Sequence, residues 1–173
     1  EIVVFDIVGP RQAKVRGLRK PLLDQLQTPK PQLHRQEGQT LDLTGRTPAA
    51  SGEFAKVNGW QSAKLPAPQT ARYVCVEAVD GYDPTDRAAI AELYVVNDKG
   101  ERISREPWLI TYADSEDVKR LNRSADKLYD LQESTYWQTV KGEPFPHSVV
   151  IDLGGEHTIS EIQYLPRMEA EVP

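Results

Sequence analysis

Short runs of β-branched and aromatic residues, separated by turn residues, dominate the hydrophobic pattern of this chain. Such runs occupy residues 2–5, 72–77, 93–96 and 148–153, and these residue types are enriched in strands. Turn signals follow them at Gly9-Pro10, Asp80-Gly81, Asp98-Lys99-Gly100 and Gly154-Gly155. The pattern predicts a chain built mainly of short β-strands.

Helical periodicity is confined to a few short segments. Residues 18–26 predict one or two turns, and residues 115–121 and 125–131 predict a single turn each. The chain has 13 prolines, which interrupt longer helices, and Pro66 and Pro68 are expected to flank strands. The predicted fold class is therefore all-β: an antiparallel β-sandwich of the jelly-roll type with short helical connectors.

Composition and charge narrow the classes of function. The length of 173 residues suits one domain, or pieces of two. The net charge of −5 repels a polyanion such as nucleic acid. The basic segment 11–20 has no interleaved aromatic residues, so we expect no nucleic-acid partner. No apolar run approaches the ~18 residues that a membrane span needs. Cys75 is the single cysteine and is predicted to be a buried core residue.

The sequence offers no motif for catalysis. His34, His147 and His157 lie in unrelated segments, without HExxH spacing. The densest carboxylate group, residues 114–117, is typical of a solvated turn with capping side chains. A glycosidase needs two carboxylates across a deep cleft, which this pattern does not predict. We expect the chain not to be an enzyme.

Two blocks of sequence resemble a known family. The first is residues 70–78 (TARYVCVEA) followed by 88–95 (AAIAELYV). It is similar to the closing segment of the discoidin, or coagulation-factor type C, family, where an ARYVRLEA strand leads to an AAxAEI strand. The sugar-binding members of that galactose-binding-like family are the family 32 carbohydrate-binding modules.

The second block resembles the opening half of the same family, with the pattern A-x-DGDxxTxW, PHxxxIDLG and YxPR. It consists of four segments: 124–130 (SADKLYD), 134–137 (STYW), 146–154 (PHSVVIDLG) and 164–167 (YLPR). The family's closing half thus comes first in this chain. We assign residues 1–98 to a closing half with a preceding strand and linker, and residues 99–173 to an opening half. Either the chain is cut across a tandem array, or the halves complete one permuted sandwich.

The resemblance implies a sugar-binding module that uses loops at one end of the sandwich. Sugars are recognised by an aromatic ring stacked on their C–H face and by charged groups that bind hydroxyls. Tyr82, between acidic residues, is the preferred stacking residue and Tyr136 the second, whereas Trp137 is expected in the core. The candidate hydrogen-bonding residues are Asp83, Asp114, Glu116 and Arg167. Each of these also fits an ordinary solvated charge.

A structural calcium ion is a second implication of the resemblance. The matching ligand positions are Glu92, the Leu128 carbonyl, Asp130 and Thr135, and calcium prefers such oxygen ligands. The loop reads Asp130-Leu131-Gln132 where the family has Asp-Gly-Asp. Leu131 lacks the backbone freedom of glycine, and Gln132 removes a negative charge.

Modules of this kind are attached to secreted exoglycosidases of the Bacteroides type, including chitobiases (N-acetylhexosaminidases). The resemblance therefore implies a glycan ligand, such as a terminal Gal- or GlcNAc-type sugar, and neighbouring domains of a parent hydrolase as partners. It also implies a secreted, periplasmic or cell-surface location. Alternatives remain open: a ligand-free structural spacer of the same fold that orients the catalytic domain, or a protein-adhesion or phospholipid-binding module.

Overall fold

The computed structural model describes the backbone of residues 2–8 and, in full, residues 47–83, 85–119 and 121–167. These residues form seven strands and a single 3₁₀ helix, Ala125–Tyr129. The strands are β1 (Ile2–Val8), β2 (Ala50–Glu53), β3 (Gln61–Ala78), β4 (Ala89–Asn97), β5 (Leu109–Ala113), β6 (Trp137–Gln138) and β7 (His147–Pro166). The predicted all-β fold class is confirmed.

Two long strands, β3 and β7, pair antiparallel over most of their length and run through both layers of the sandwich. The first layer contains the second half of β3 and the first half of β7, and the second layer contains the first residues of β3, the last residues of β7 and β4. On its other edge, β7 pairs first with β5 and then with β4. The strand order is β2-β1-β3-β7-β4-β6, with β5 beside β7. Strand β1 is parallel to β2 and β3, and the other pairings are antiparallel.

Both long strands bend where their regular pairing is interrupted. Pro66 and Pro68 lie inside β3 rather than beside a strand as expected. The register of β3 shifts around them, between Lys64 and Gln69, because proline lacks an N–H for the ladder. In β7 Gly154 has φ of 83°. The prediction that Gly154-Gly155 ends a strand is wrong, because β7 continues through it and stays paired with β3 on both sides.

One hydrophobic cluster fills the space between the layers. Alternate residues from the second half of β3 and the first half of β7 contribute to it, including Val74, Val76, Val149 and Ile151. Residues of the other layer join them: Ile90, Leu93, Val95 and Ile162. The expected core positions of Cys75 and Trp137 are confirmed, since both side chains are buried.

The helical predictions have mixed outcomes. The predicted turn at 125–131 corresponds to the 3₁₀ helix, and residues 18–26 lie outside the described residues. The predicted turn at 115–121 is wrong at Asp117, whose N–H donates across the fold to the Gln138 carbonyl at 2.8 Å. Among the described residues, no helix is long and apolar enough to cross a membrane.

Strands from both predicted halves share one sheet. Strands β3 and β4 of segment 1–98 pair with β7 of segment 99–173. The division of the chain into a closing and an opening half stays a prediction.

Candidate functional site

A cleft of about 480 Å³ opens at one end of the sandwich. Its walls come from the β2–β3 loop, the β3–β4 loop and the last residues of β7. Three of the predicted sugar-binding residues line it: Tyr82, Asp83 and Arg167. The fold thus brings together residues that lie more than eighty positions apart in the sequence.

Tyr82 presents an aromatic ring in this cleft, 37% exposed. Its hydroxyl lies 3.0 Å from Glu53 Oε1 and 3.1 Å from the Phe54 carbonyl oxygen. It donates its one proton to one of these acceptors, and the hydrogen bond to Glu53 raises the pKa of Tyr82. The ring is therefore held at its tip while part of it stays accessible to a ligand.

A stacked aromatic pair, Phe54 and Tyr164, forms another part of the cleft wall. The two rings are stacked with centroids 4.6 Å apart, and both residues line the cleft. Burial raises the pKa of Tyr164 to about 12, so its hydroxyl stays protonated at neutral pH. The cleft consequently combines apolar ring surface with groups that bind hydroxyls.

Charged side chains also line the cleft. Asp83 Oδ1 accepts hydrogen bonds from the Thr85 N–H and Oγ1, at 2.8 and 2.5 Å. Arg167 Nη2 lies 3.9 Å from Asp83 Oδ2, and Arg167 Nη1 donates to Gln138 Oε1 at 3.0 Å. Burial alone would raise the pKa of Asp83, but the Thr85 hydrogen bonds and two nearby guanidinium groups lower it. Asp83 is therefore ionised at neutral pH.

Arg87 is a cleft residue that the sequence interpretation missed. Its Nε is buried and has no hydrogen-bond partner among the described residues. Leaving a buried donor unpaired costs about 1–3 kcal/mol, so a small movement of the Arg87 side chain that let this Nε meet a ligand oxygen in the cleft would be favourable. The signal in the sequence was a cation two residues before β4 and after an acidic loop.

The other predicted sugar-binding residues are not among the described residues that line the cleft. Asp114 binds His147 Nδ1 and the Ser148 N–H, both at 2.7 Å. Glu116 accepts the N–H of Ala125, the first residue of the 3₁₀ helix, at 2.6 Å. Tyr136 packs under the Arg123 guanidinium, 3.7 Å from the ring centroid. These contacts give each residue a structural task, and sugar binding by them stays a prediction.

The residues implied as calcium ligands lie around the loop after the 3₁₀ helix. Glu92 is paired with Arg105, and Leu128 packs in the core. The hydroxyl of Thr135 lies 2.9 and 2.8 Å from the two carboxylate oxygens of Asp130. Lys127 Nζ is 3.4 Å from Asp130 Oδ2.

This donor set fits calcium poorly, because each of its two carboxylates already has a cationic partner. Glu92 faces Arg105 and Asp130 faces Lys127. Burial raises the pKa of Glu92, and Arg105 offsets only part of this rise. In the described residues, no group of three or more His, Cys, Asp and Glu side chains is arranged to hold a metal.

The backbone of the loop nevertheless keeps the shape that a glycine favours. Leu131 has φ of 68°, and its side chain points into solvent, 72% exposed. Leu131 thus adopts a backbone geometry that we expected leucine to supply only with difficulty. The loop accepts a strained conformation that costs an L-residue roughly 1–2 kcal/mol.

Comparison with known proteins gives a partial match. No family model matches the chain. A stretch of 65 residues is 37% identical to part of a sialidase from Micromonospora viridifaciens. The match covers 35% of the present chain and 10% of the sialidase. The similarity therefore concerns one segment of that glycoside hydrolase.

Proposed function

We propose that this chain is a non-catalytic carbohydrate-binding accessory module of a secreted glycoside hydrolase, and that it binds sugar in the cleft at the end of the sandwich. The observation that carries the proposal is the lining of the cleft. An exposed Tyr82 ring and the unpaired Arg87 Nε lie beside a hydrogen-bonded carboxylate. Such a combination suits a sugar ring, which offers an apolar face and several hydroxyls.

The electrostatics of Asp83 support a role in binding rather than in catalysis. A general acid in a glycosidase needs a raised pKa so that it is protonated at neutral pH. The pKa of Asp83 is lowered instead, and Arg167 lies beside it. Asp83 is therefore suited to accept hydrogen bonds from sugar hydroxyls and unsuited to protonate a leaving group.

The partial similarity to a sialidase supports an association with glycan hydrolysis. The partners in this proposal are a terminal Gal- or GlcNAc-type sugar and the neighbouring domains of the parent hydrolase. A parent enzyme of the chitobiase type and a secreted, periplasmic or cell-surface location belong to the same proposal. The family assignment to discoidin-like modules belongs to it as well.

The test is calorimetric titration with methyl β-galactoside and N-acetylglucosamine, after a glycan array has ranked the sugars. Tyr82→Ala should weaken binding roughly 2- to 12-fold, the contribution of one aromatic contact. Arg87→Ala should weaken it at least about ten-fold, because a charged hydrogen bond is lost. Tyr82→Phe keeps the ring and should bind nearly as wild type does.

Trp60→Ala is the matched control. Trp60 is 39% exposed, close to the value for Tyr82, and it is not among the described residues that line the cleft. It donates instead to Glu133 and packs against Tyr94. If Trp60→Ala abolished binding while Tyr82→Ala did not, the cleft would not be the site.

One observation favours the second candidate function, a ligand-free spacer that orients the catalytic domain. Tyr82, Asp83 and Arg167 already have partners within the chain. A sugar would have to exchange with these partners, which leaves a smaller net gain. Absence of binding to every sugar on the array by the folded wild-type chain would favour the spacer.

A further inference from the structure

The buried pair of Arg105 and Glu92 lies where the resemblance implies a metal. Arg105 donates through Nη1 to Glu92 Oε2 and to the Leu93 carbonyl oxygen, 3.1 Å away. Its Nη2 donates to the Tyr94 hydroxyl at 2.9 Å, and its guanidinium lies over the Tyr94 ring. The side chains of Arg105 and Glu92 are only 6% and 2% exposed.

We infer that the guanidinium of Arg105 replaces the calcium ion in this part of the fold, so that the cluster holds a cation supplied by the chain itself. This inference is independent of the proposed sugar binding. A carboxylate removed from water requires a compensating charge. Arg105 provides it for Glu92, as Lys127 does for Asp130.

The charges of the cluster explain why a dication is disfavoured. Glu92, Asp126 and Asp130 supply three negative charges, and Arg105 and Lys127 supply two positive ones. The cluster as folded carries one excess negative charge, which lies on the more exposed side where Lys127 is shared by Asp126 and Asp130. Adding Ca²⁺ would reverse this to one excess positive charge. A calcium ion would also have to displace the guanidinium from Glu92.

The surroundings show what removal of Arg105 would create. Arg105 and Asp130 line the same surface hollow, beside Tyr129 and Leu131. Glu92 Oε1 is buried and has no hydrogen-bond partner among the described residues. Truncating Arg105 would open space beside Glu92, on the side of the hollow that Asp130 lines. Asp130 in turn meets the Thr135 hydroxyl. Carboxylate and hydroxyl oxygens are the ligand types that calcium prefers.

The experiment compares the melting temperatures of wild type and Arg105→Ala in CaCl₂, MgCl₂ and EDTA. Wild type should melt at the same temperature in all three. In EDTA, Arg105→Ala should melt at a lower temperature than wild type. Calcium at ten times its Kd should raise the Tm of Arg105→Ala by about 3–6 °C. Adding Glu92→Gln to Arg105→Ala should remove this response, since Glu92 is the proposed ligand.

Arg102→Ala is the control for loss of a neighbouring guanidinium, because Arg102 also stacks on Tyr94, at 3.7 Å, but binds Gln163 rather than a carboxylate. It should gain no response to calcium. A calcium-dependent rise in the Tm of wild type would overturn the inference, as would an Arg105→Ala protein that folds but does not respond. If Arg105→Ala does not fold, calorimetric titration of wild type with CaCl₂ tests the inference instead. No heat of binding is expected, and saturable binding would refute the replacement of calcium by Arg105.

Discussion

Gly154 is the position at which the bend of β7 can be tested most directly. Its φ of 83° lies in a region that L-residues rarely adopt. A Cβ added there would lie 2.5 Å from Pro107 Cβ and 3.2 Å from the Pro107 carbonyl oxygen. Gly155, the next residue, has no atom within 4 Å of the equivalent position. Gly154→Ala and Gly155→Ala therefore form a matched pair.

The magnitude follows from three contributions. Forcing alanine into the left-handed region costs about 1–2 kcal/mol, and overpacking against Pro107 costs about 1–3 kcal/mol. Alanine also lowers the conformational entropy of the unfolded chain relative to glycine, which raises the free energy of unfolding by about 0.4–1 kcal/mol. Gly154→Ala should therefore lower the free energy of unfolding by roughly 1–5 kcal/mol. Gly155→Ala experiences neither cost and should stay within about 1 kcal/mol of wild type.

Urea unfolding followed by tryptophan fluorescence measures both variants. We expect Gly154→Ala to shift the midpoint without changing the m-value, because the fold and the surface exposed on unfolding stay the same. In thermal unfolding, each kcal/mol corresponds to about 2–4 °C in a chain of this size. Equal stabilities of the two variants would refute the close approach of β7 to Pro107, and with it the bend that joins the two layers.

Two further predictions concern the pH dependence of stability and the loop at Leu131. Burial alone would lower the pKa of His147, but the Asp114 carboxylate raises it above the ordinary value of 6.5. Protonated His147 therefore stabilises the fold fully below pH 6.5, the pKa in the unfolded chain, and this stability is lost as the pH rises through the folded-state pKa. Asp114→Asn should accordingly destabilise more at pH 5.5 than at pH 8.5, and a constant difference across urea titrations would contradict this. Leu131→Gly should raise the free energy of unfolding by roughly 1 kcal/mol because it relieves a positive φ and loses little contact; an unchanged midpoint would show that the loop carries no such strain.

The strand content could be predicted from the sequence because it depends on local residue types. Residues 72–77, 93–96 and 148–153 are rich in β-branched side chains, and all three lie in strands. The continuation of β7 through Gly154-Gly155 could not be predicted. Two glycines are locally a turn signal, and only pairing with β3 on both sides of them keeps the strand extended.

The candidate site shows the same limit at the level of side chains. Tyr82 and Asp83 could be placed in a loop from the local pattern, and Arg167 from the resemblance. The same reasoning chose Asp114 and Glu116, because a carboxylate in a loop looks alike whether it meets a ligand or an internal N–H. Their partners, His147 and the Ala125 N–H, lie 33 and 9 positions away in the sequence. Only the folded chain shows that these groups meet.

Hydrogen bonds to strands at both ends of the strand order hold two residues of the cleft in place. Tyr82 is held by Glu53 of β2, and Arg167 is held by Gln138 of β6. Strands β2 and β6 are the two ends of the strand order, so the cleft is fixed from both edges of the sheet at once. Groups held in place before binding lose little conformational entropy when a ligand arrives. In the proposed sugar site the same hydrogen bonds would compete with the ligand, so the net gain would come mainly from the Tyr82 ring and the unpaired Arg87 Nε. A sugar site of this design would be selective in shape and modest in affinity.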